Sequence, residues 1–236
     1  MIHPCRTPGL GPWDQVSCYC ERGQDPSFWA EPLNALSNIA FLIAALMAYT
    51  DLRAERPERG SGMVVVLILA VMVVGVGSFG FHTFATRWAE LADVIPIALF
   101  VFSYLAVALR RFLDLNAPVA ILVALAVAAS GHVMPPWFNG SFGYAPALLS
   151  MILVGILALA REQESAKWVL AGAGVFAVSL IFRSIDAGAG CLVHPPGAAT
   201  PQFIIGTHAL WHILNAVTLY LLLRAAIENP PSPKTA

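Results

Sequence analysis

Apolar residues run along this chain in blocks, each close to the ~20 residues that carry a helix across a bilayer. Seven can be drawn: Leu33–Asp51, Gly62–Phe81, Glu90–Arg110, Ala117–Met134, Phe142–Ala160, Ala166–Arg183 and Pro201–Arg224. Short polar turns separate them. The pattern predicts an all-α integral membrane protein, a single seven-helix transmembrane bundle over residues 1–236. Residues 1–32 form a segment ahead of the first helix, and residues 225–236 form a tail.

The polar residues that interrupt the blocks are few. In the last block, Gly206-Thr207-His208-Ala209-Leu210-Trp211-His212 sets two histidines one helical turn apart, on one face. His82 follows the second block, four residues after Ser78, and Asp93 stands at the head of the third. An imidazole inside a bilayer is costly without a partner, so such residues mark a functional site.

Charge then orients the bundle. Of thirteen Lys and Arg, nine fall at one end: Arg53, Arg56, Arg59, Arg110, Arg111, Arg161, Lys167, Arg224 and Lys234. Only Arg6, Arg22, Arg87 and Arg183 fall at the other. The positive-inside rule places the basic end in the cytoplasm, with the N-terminus outside and the C-terminus inside, as an odd number of spans requires. Ser78, His82, Asp93, His208 and His212 then share the outer end with Glu31, Asn34, Ser37 and Asn38 at the start of the first span. Trp29, Trp88, Trp137 and Trp168 fall near span ends, as an interfacial belt.

Composition agrees. The chain is 58% hydrophobic and 11% charged, against roughly 25% charged in soluble domains. A net charge of −1 offers nothing to a nucleic acid. The start, Met1-Ile2-His3-Pro4-Cys5-Arg6, has no continuous apolar core, so no cleavable signal peptide is expected. Cys5, Cys18, Cys20 and Cys191 all lie on the outer side, where disulfides form. Cys18 and Cys20 are too close to pair comfortably, so Cys191 is expected to bond one of them; Cys20–Cys191 is the pair expected.

Three neutral imidazoles with one open position make a catalytic zinc site. Zinc activates water at neutral pH, a nearby carboxylate moves the proton, and a hydroxyl steadies the developing oxyanion. On this reading His82, His208 and His212 bind zinc, Asp93 is the acid/base and Ser78 assists. Each residue alone has a blander use. A single membrane histidine bonds a neighbouring helix, and Ser78 sits among Gly75, Gly77 and Gly80, where helices pack closely. Asp93 could cap its helix, although Glu90 is better placed to do so. Three histidines and an aspartate at one depth favour a metal. Arg183 and Asp186 are read as a structural ion pair; His132 and His194 receive no role.

The pattern Ser78-x-x-x-His82, then Asp93, then His208-x-x-x-His212, on seven spans, resembles the alkaline ceramidases. These belong to a wider superfamily of seven-helix membrane hydrolases that includes adiponectin-receptor-like proteins. Cys20-Glu21 and Glu31-x-x-Asn34-x-x-Ser37-Asn38 favour the ceramidase branch. The resemblance implies a zinc-dependent amide hydrolase that cleaves ceramide to a sphingoid base and a fatty acid, with the residue roles just given. It also implies calcium held by an acidic N-terminal segment, Asp-Trp-Cys-Glu and a further Glu. Here Cys18-Tyr19-Cys20-Glu21 stands in that place, leaving Glu21, Asp25 and Glu31 as candidate calcium ligands.

The leading reading is therefore an intramembrane zinc amidase acting on ceramide or a similar N-acyl lipid. The alternative is a receptor-like or lipid-sensing protein with a structural zinc, which needs four protein ligands. A transporter is disfavoured, because the cytoplasmic halves of the spans are nearly all Leu, Val, Ile and Ala. Short loops and brief tails point to a bacterial inner membrane, with the site toward the periplasmic face.

Overall fold

The computed structural model describes residues 11–16, 19–23, 25–55, 61–138, 140–186 and 206–230. Among these, every regular element is helical: α1 (Pro32–Ser37), α2 (Ile39–Glu55), α3 (Ser61–Phe84), α4 (Arg87–Leu113), α5 (Ala117–Val133), α6 (Ala145–Leu159), α7 (Ala166–Ile185) and α8 (His208–Glu228). A 3-10 turn, Ser141–Tyr144, leads into α6. The first two helices run on as one span, Pro32–Glu55.

Among the described residues six helical stretches are long and apolar enough to cross a membrane. The seven blocks expected from the sequence correspond to these six and to one shorter apolar helix. The stretch Ala117–Val133 is apolar but has only 17 residues, or about 26 Å at helical rise. Asn116 sets its start, its side chain accepting from the Val119 backbone N–H at 3.1 Å, with Pro118 in the first turn. The last helix begins at His208, later than the predicted Pro201; residues 201–205 lie outside the described residues. So do Cys5, Cys18, Cys191 and His194.

Large apolar side chains such as Leu46, Leu69, Val76, Leu122 and Leu149 face outward. In a water-soluble protein such a surface would aggregate; against lipid it is the expected exterior. The most enclosed helix is α8, which packs against α7, α2 and α1. The polar groups collect at the two ends. At the arginine-rich end, Arg224 pairs with Asp51, Glu55 and Glu228, Tyr220 donates to Asp51 at 2.8 Å, and the Trp168 indole donates to Glu228 at 2.7 Å. These contacts tie α2, α7 and α8 together.

The other end is organised by close backbone approach. A Cβ on Gly77 would run into the Ala92 carbonyl of α4. That carbonyl has no intrahelical donor, because the residue four further on is Pro96, which lacks an N–H. Gly77 and Pro96 together let α3 and α4 touch where Ser78 and Asp93 follow in sequence. Gly75 does the same on the other flank, where a Cβ would sit 2.9 Å from Phe41 Cβ and 3.2 Å from the Asn38 carbonyl oxygen.

The segment before α1 lies across this end. Val16 N–H donates to the Ala85 carbonyl at 2.6 Å, Arg87 N–H to Asp14 at 3.2 Å and Trp88 N–H to Pro12 at 3.0 Å. The chain thereby fastens to the turn between α3 and α4. Val16 is buried with Phe81 and Ala89 beneath it.

Candidate metal centre

Asp186, just past α7, builds the entrance to α8. Its carboxylate accepts from Thr207 N–H at 2.5 Å and His208 N–H at 3.2 Å, two donors that a helix N-terminus leaves open. It also accepts from the Cys20 N–H at 3.4 Å, bringing the N-terminal segment to the same point. Asp186, read from the sequence as the partner of Arg183, thus caps the helix that carries two histidines. The Arg183 guanidinium lies over the rings of Tyr144 and Trp211, at 5.3 and 5.7 Å, and donates to Ser141 Oγ at 3.0 Å.

With α8 fixed, His208 and His212 meet His82 from α3. The three ring centroids lie 4.6 to 5.2 Å apart, and one nitrogen from each ring falls within 4.8 Å of the other two. All three are buried. Among the described residues no acidic or cysteine side chain joins this group.

The hydrogen bonds around the rings decide which nitrogens face inward. Glu31 Oε2 lies 2.5 Å from His82 Nδ1, so Nδ1 carries the proton. Ser37 Oγ gives its one hydrogen to the Asn34 carbonyl and lies 2.8 Å from His212 Nδ1, which must then be the donor. Both rings therefore present Nε2 as a lone pair. His82 Nε2 has no hydrogen-bond partner, and neither has His208 Nδ1. Two buried imidazole nitrogens without partners, beside a third whose tautomer is held by a hydroxyl, are what a metal site with its outer support already in place requires. The residues fit a metal ion.

Asp93 is also buried, and its Oδ1 has no partner. Ser78 Oγ lies 3.5 Å from His212 Nε2. Ser78, Asp93, His208 and His212 line one cavity of about 290 Å3, while His82 stands behind it, fully enclosed. From this polar head, with Arg183, Asn215 and Tyr144, the cavity follows Val94, Ile97 and Val101 down the bundle. An apolar pocket lined by Phe100, Leu105 and Met151 shares that wall. His132, given no role by the sequence, lines the cavity at the α5 side.

Two supporting residues went unrecognised in the sequence, and a third, Glu31, was given another role. Tyr19 stacks on His208 at 3.8 Å and lies 5.0 Å from His82, and burial pushes its phenol pKa upward. Arg22 pairs with Glu31 at 2.6 Å. Glu31 was a candidate calcium ligand and is the partner of His82. Burial alone would raise its carboxyl pKa; His82, Asn34 and Arg22 outweigh this and hold it below the usual range. One signal was available: Glu31, Asn34, Ser37 and Asn38 repeat at helical spacing and so form one polar face.

Among the described residues the three candidate calcium ligands do not form one metal-holding group. Glu21 accepts from the Leu33 and Asn34 N–H groups at 2.7 and 2.9 Å, capping α1. Asp25 accepts from Ser27 N–H at 2.8 Å. Glu31 is shared among Arg22, Asn34 and His82. Cys20 is buried and is not a free thiol; its expected partner, Cys191, lies outside the described residues.

Fold and site define a helical membrane protein with a buried three-histidine centre at one end of its bundle. A family model described as Ceramidase matches residues 19–227, nearly the whole chain. The chain belongs to the ceramidase family, whose members are amide hydrolases acting on ceramide at membranes. A search of curated proteins gives no match.

Proposed function

We propose that this protein is an intramembrane zinc-dependent hydrolase that cleaves the amide of ceramide or a similar N-acyl lipid to a long-chain amine and a fatty acid. The observation that carries this is the inward set of imidazole nitrogens, two without partners, at the head of a cavity with apolar walls. Zinc on His82, His208 and His212 would supply Lewis-acid activation of the amide carbonyl and of water. Among the described residues no fourth acidic or thiol ligand joins the group, which favours an open coordination position over a closed structural site.

The chain's own residues supply the rest. Asp93 takes the proton from the attacking water and delivers it to the amine nitrogen as the C–N bond breaks. Its unpartnered Oδ1 leaves it able to do so. Ser78 donates to the oxygen on which negative charge develops. The apolar wall accepts the acyl and sphingoid chains and keeps bulk water from the reacting carbonyl.

In the proposed topology the basic end lies in the cytoplasm and the site faces the periplasm of a bacterial inner membrane. A Cys20–Cys191 disulfide would tie the segment that carries Tyr19, Glu21 and Arg22 to the loop before α8.

The test uses purified protein in detergent. Elemental analysis should find close to one zinc per chain, and His208→Ala and His212→Ala should each lose most of it. With matched lipids, the amide should be cleaved in preference to a short soluble amide, and chelation should stop the reaction until zinc is returned. A zinc-loaded protein that cleaves no lipid amide would favour the receptor-like reading.

A further inference from the structure

Arg22 is only 3% exposed, yet it lies in a segment that crosses the end of the bundle. Its guanidinium has five N–H donors, and five oxygens surround it. Nε donates to Glu31 Oε1 at 2.6 Å. Nη1 donates to the carbonyls of Asp25 and Ser27 at 3.2 and 2.9 Å. Nη2 donates to the carbonyls of His82 and Thr83 at 3.1 and 3.3 Å. Every donor has one acceptor. His82 and Thr83 stand in the last turn of α3, where carbonyls lack intrahelical partners and the helix dipole is negative.

Without the guanidinium, four carbonyl dipoles and one carboxylate would converge on a buried gap and repel one another. Such an all-oxygen cage, with carbonyls from two segments and one carboxylate, is what a hard divalent cation such as calcium takes. Arg22 fills it from within the chain. Meanwhile Glu21 and Asp25, the other acidic residues nearby, are committed to backbone N–H groups.

We propose that Arg22 is a resident cation that does the work of a bound divalent ion, so the support behind His82 needs no calcium. Arg22 is a positioning residue. It holds Glu31 Oε1, which leaves Glu31 Oε2 on His82 Nδ1 at 2.5 Å. It also locks the segment before α1 onto the end of α3. A tethered guanidinium cannot dissociate from the chain, so this support does not vary with the surrounding ion concentration. The functional meaning rests on the proposed metal centre; the experiment reads the cage alone.

The experiment compares wild type, Arg22→Ala and Arg22→Lys in detergent. It measures calcium-45 binding, thermal unfolding and zinc affinity. Wild type should bind no stoichiometric calcium, and millimolar calcium chloride should leave its melting temperature unmoved. Arg22→Ala should melt lower and bind zinc roughly 10-fold more weakly or worse. Millimolar guanidinium or calcium should restore part of both losses, a rescue that a merely structural residue would not show. Arg22→Lys should fall between, having the charge but fewer donors. Stoichiometric calcium binding by wild type would overturn the proposal even if Arg22→Ala fails to fold. So would an Arg22→Ala protein that folds and ignores both cations. No step requires lipid hydrolysis, so an inactive preparation leaves the result intact.

Discussion

Ser37 Oγ and His212 Nδ1 lie 2.8 Å apart, and the serine has already given its hydrogen to the Asn34 carbonyl. The hydroxyl can only accept, so it selects the tautomer of an imidazole on a helix far away in sequence. Ser37→Ala removes that selection and leaves Nδ1–H without this acceptor. Zinc affinity is expected to fall roughly 10- to 100-fold with the fold intact, as outer-support substitutions generally do. Competition with a chromogenic chelator would measure this. An unchanged affinity would show that His212 needs no help from Ser37.

Asp93 is expected to move protons rather than hold structure. Asp93→Asn keeps the volume and loses the base. Zinc content and melting temperature should remain near those of wild type, while lipid-amide turnover should drop by about 10²-fold or more. Turnover at the native rate would remove Asp93 from the mechanism.

Glu31 gives the protein an acid-sensitive element. Its folded carboxyl titrates below the usual glutamate range despite burial, because His82, Asn34 and Arg22 favour the charged form. The sign follows from linkage: the stabilisation is complete above the ordinary glutamate range and is lost as pH falls through the depressed value. Melting temperatures stepped downward from neutrality should therefore decline for wild type. The decline should be shallower for Glu31→Gln, which starts lower. Parallel curves for the two proteins would contradict this.

Gly77 is the tightest point between α3 and α4. A methyl there would run into the Ala92 carbonyl, and the backbone on the far side cannot yield cheaply. Gly77→Ala is expected to destabilise by about 1–3 kcal/mol, the range for overpacking. It should also weaken metal binding, since His82 lies just beyond on the same helix. Gly80, where a Cβ would meet nothing within 4 Å, serves as the control. Equal melting temperatures for the Gly77→Ala and Gly80→Ala proteins would refute the close-approach account.

The sequence made the helices legible because lipid demands long apolar runs, and it made His82, His208 and His212 legible because imidazoles are rare there. Even the short α5 was legible, since the block Ala117–Met134 overruns the helix by a single residue. Glu31 was named a candidate calcium ligand through the resemblance, and the structure sets it among Arg22, Asn34 and His82. Carboxylates look alike in sequence, and only the geometry separates one that holds a cation from one that orients a ring. Arg22 carried no pattern at all. Its five acceptors are almost all backbone carbonyls, which every residue possesses, so no residue type could announce them.

Two of the three histidines stand on α8, the last helix, and the third closes α3, the second long span. During synthesis, His82 is in the membrane long before its companions have been made. A chain halted anywhere short of α8 has one imidazole and cannot assemble the three-histidine site. Asp186 sharpens this, because it waits at the end of α7 for the Thr207 and His208 amides that arrive only with the final helix. The three-histidine cluster is thus a late product of biogenesis, complete only once the final helix has joined the bundle.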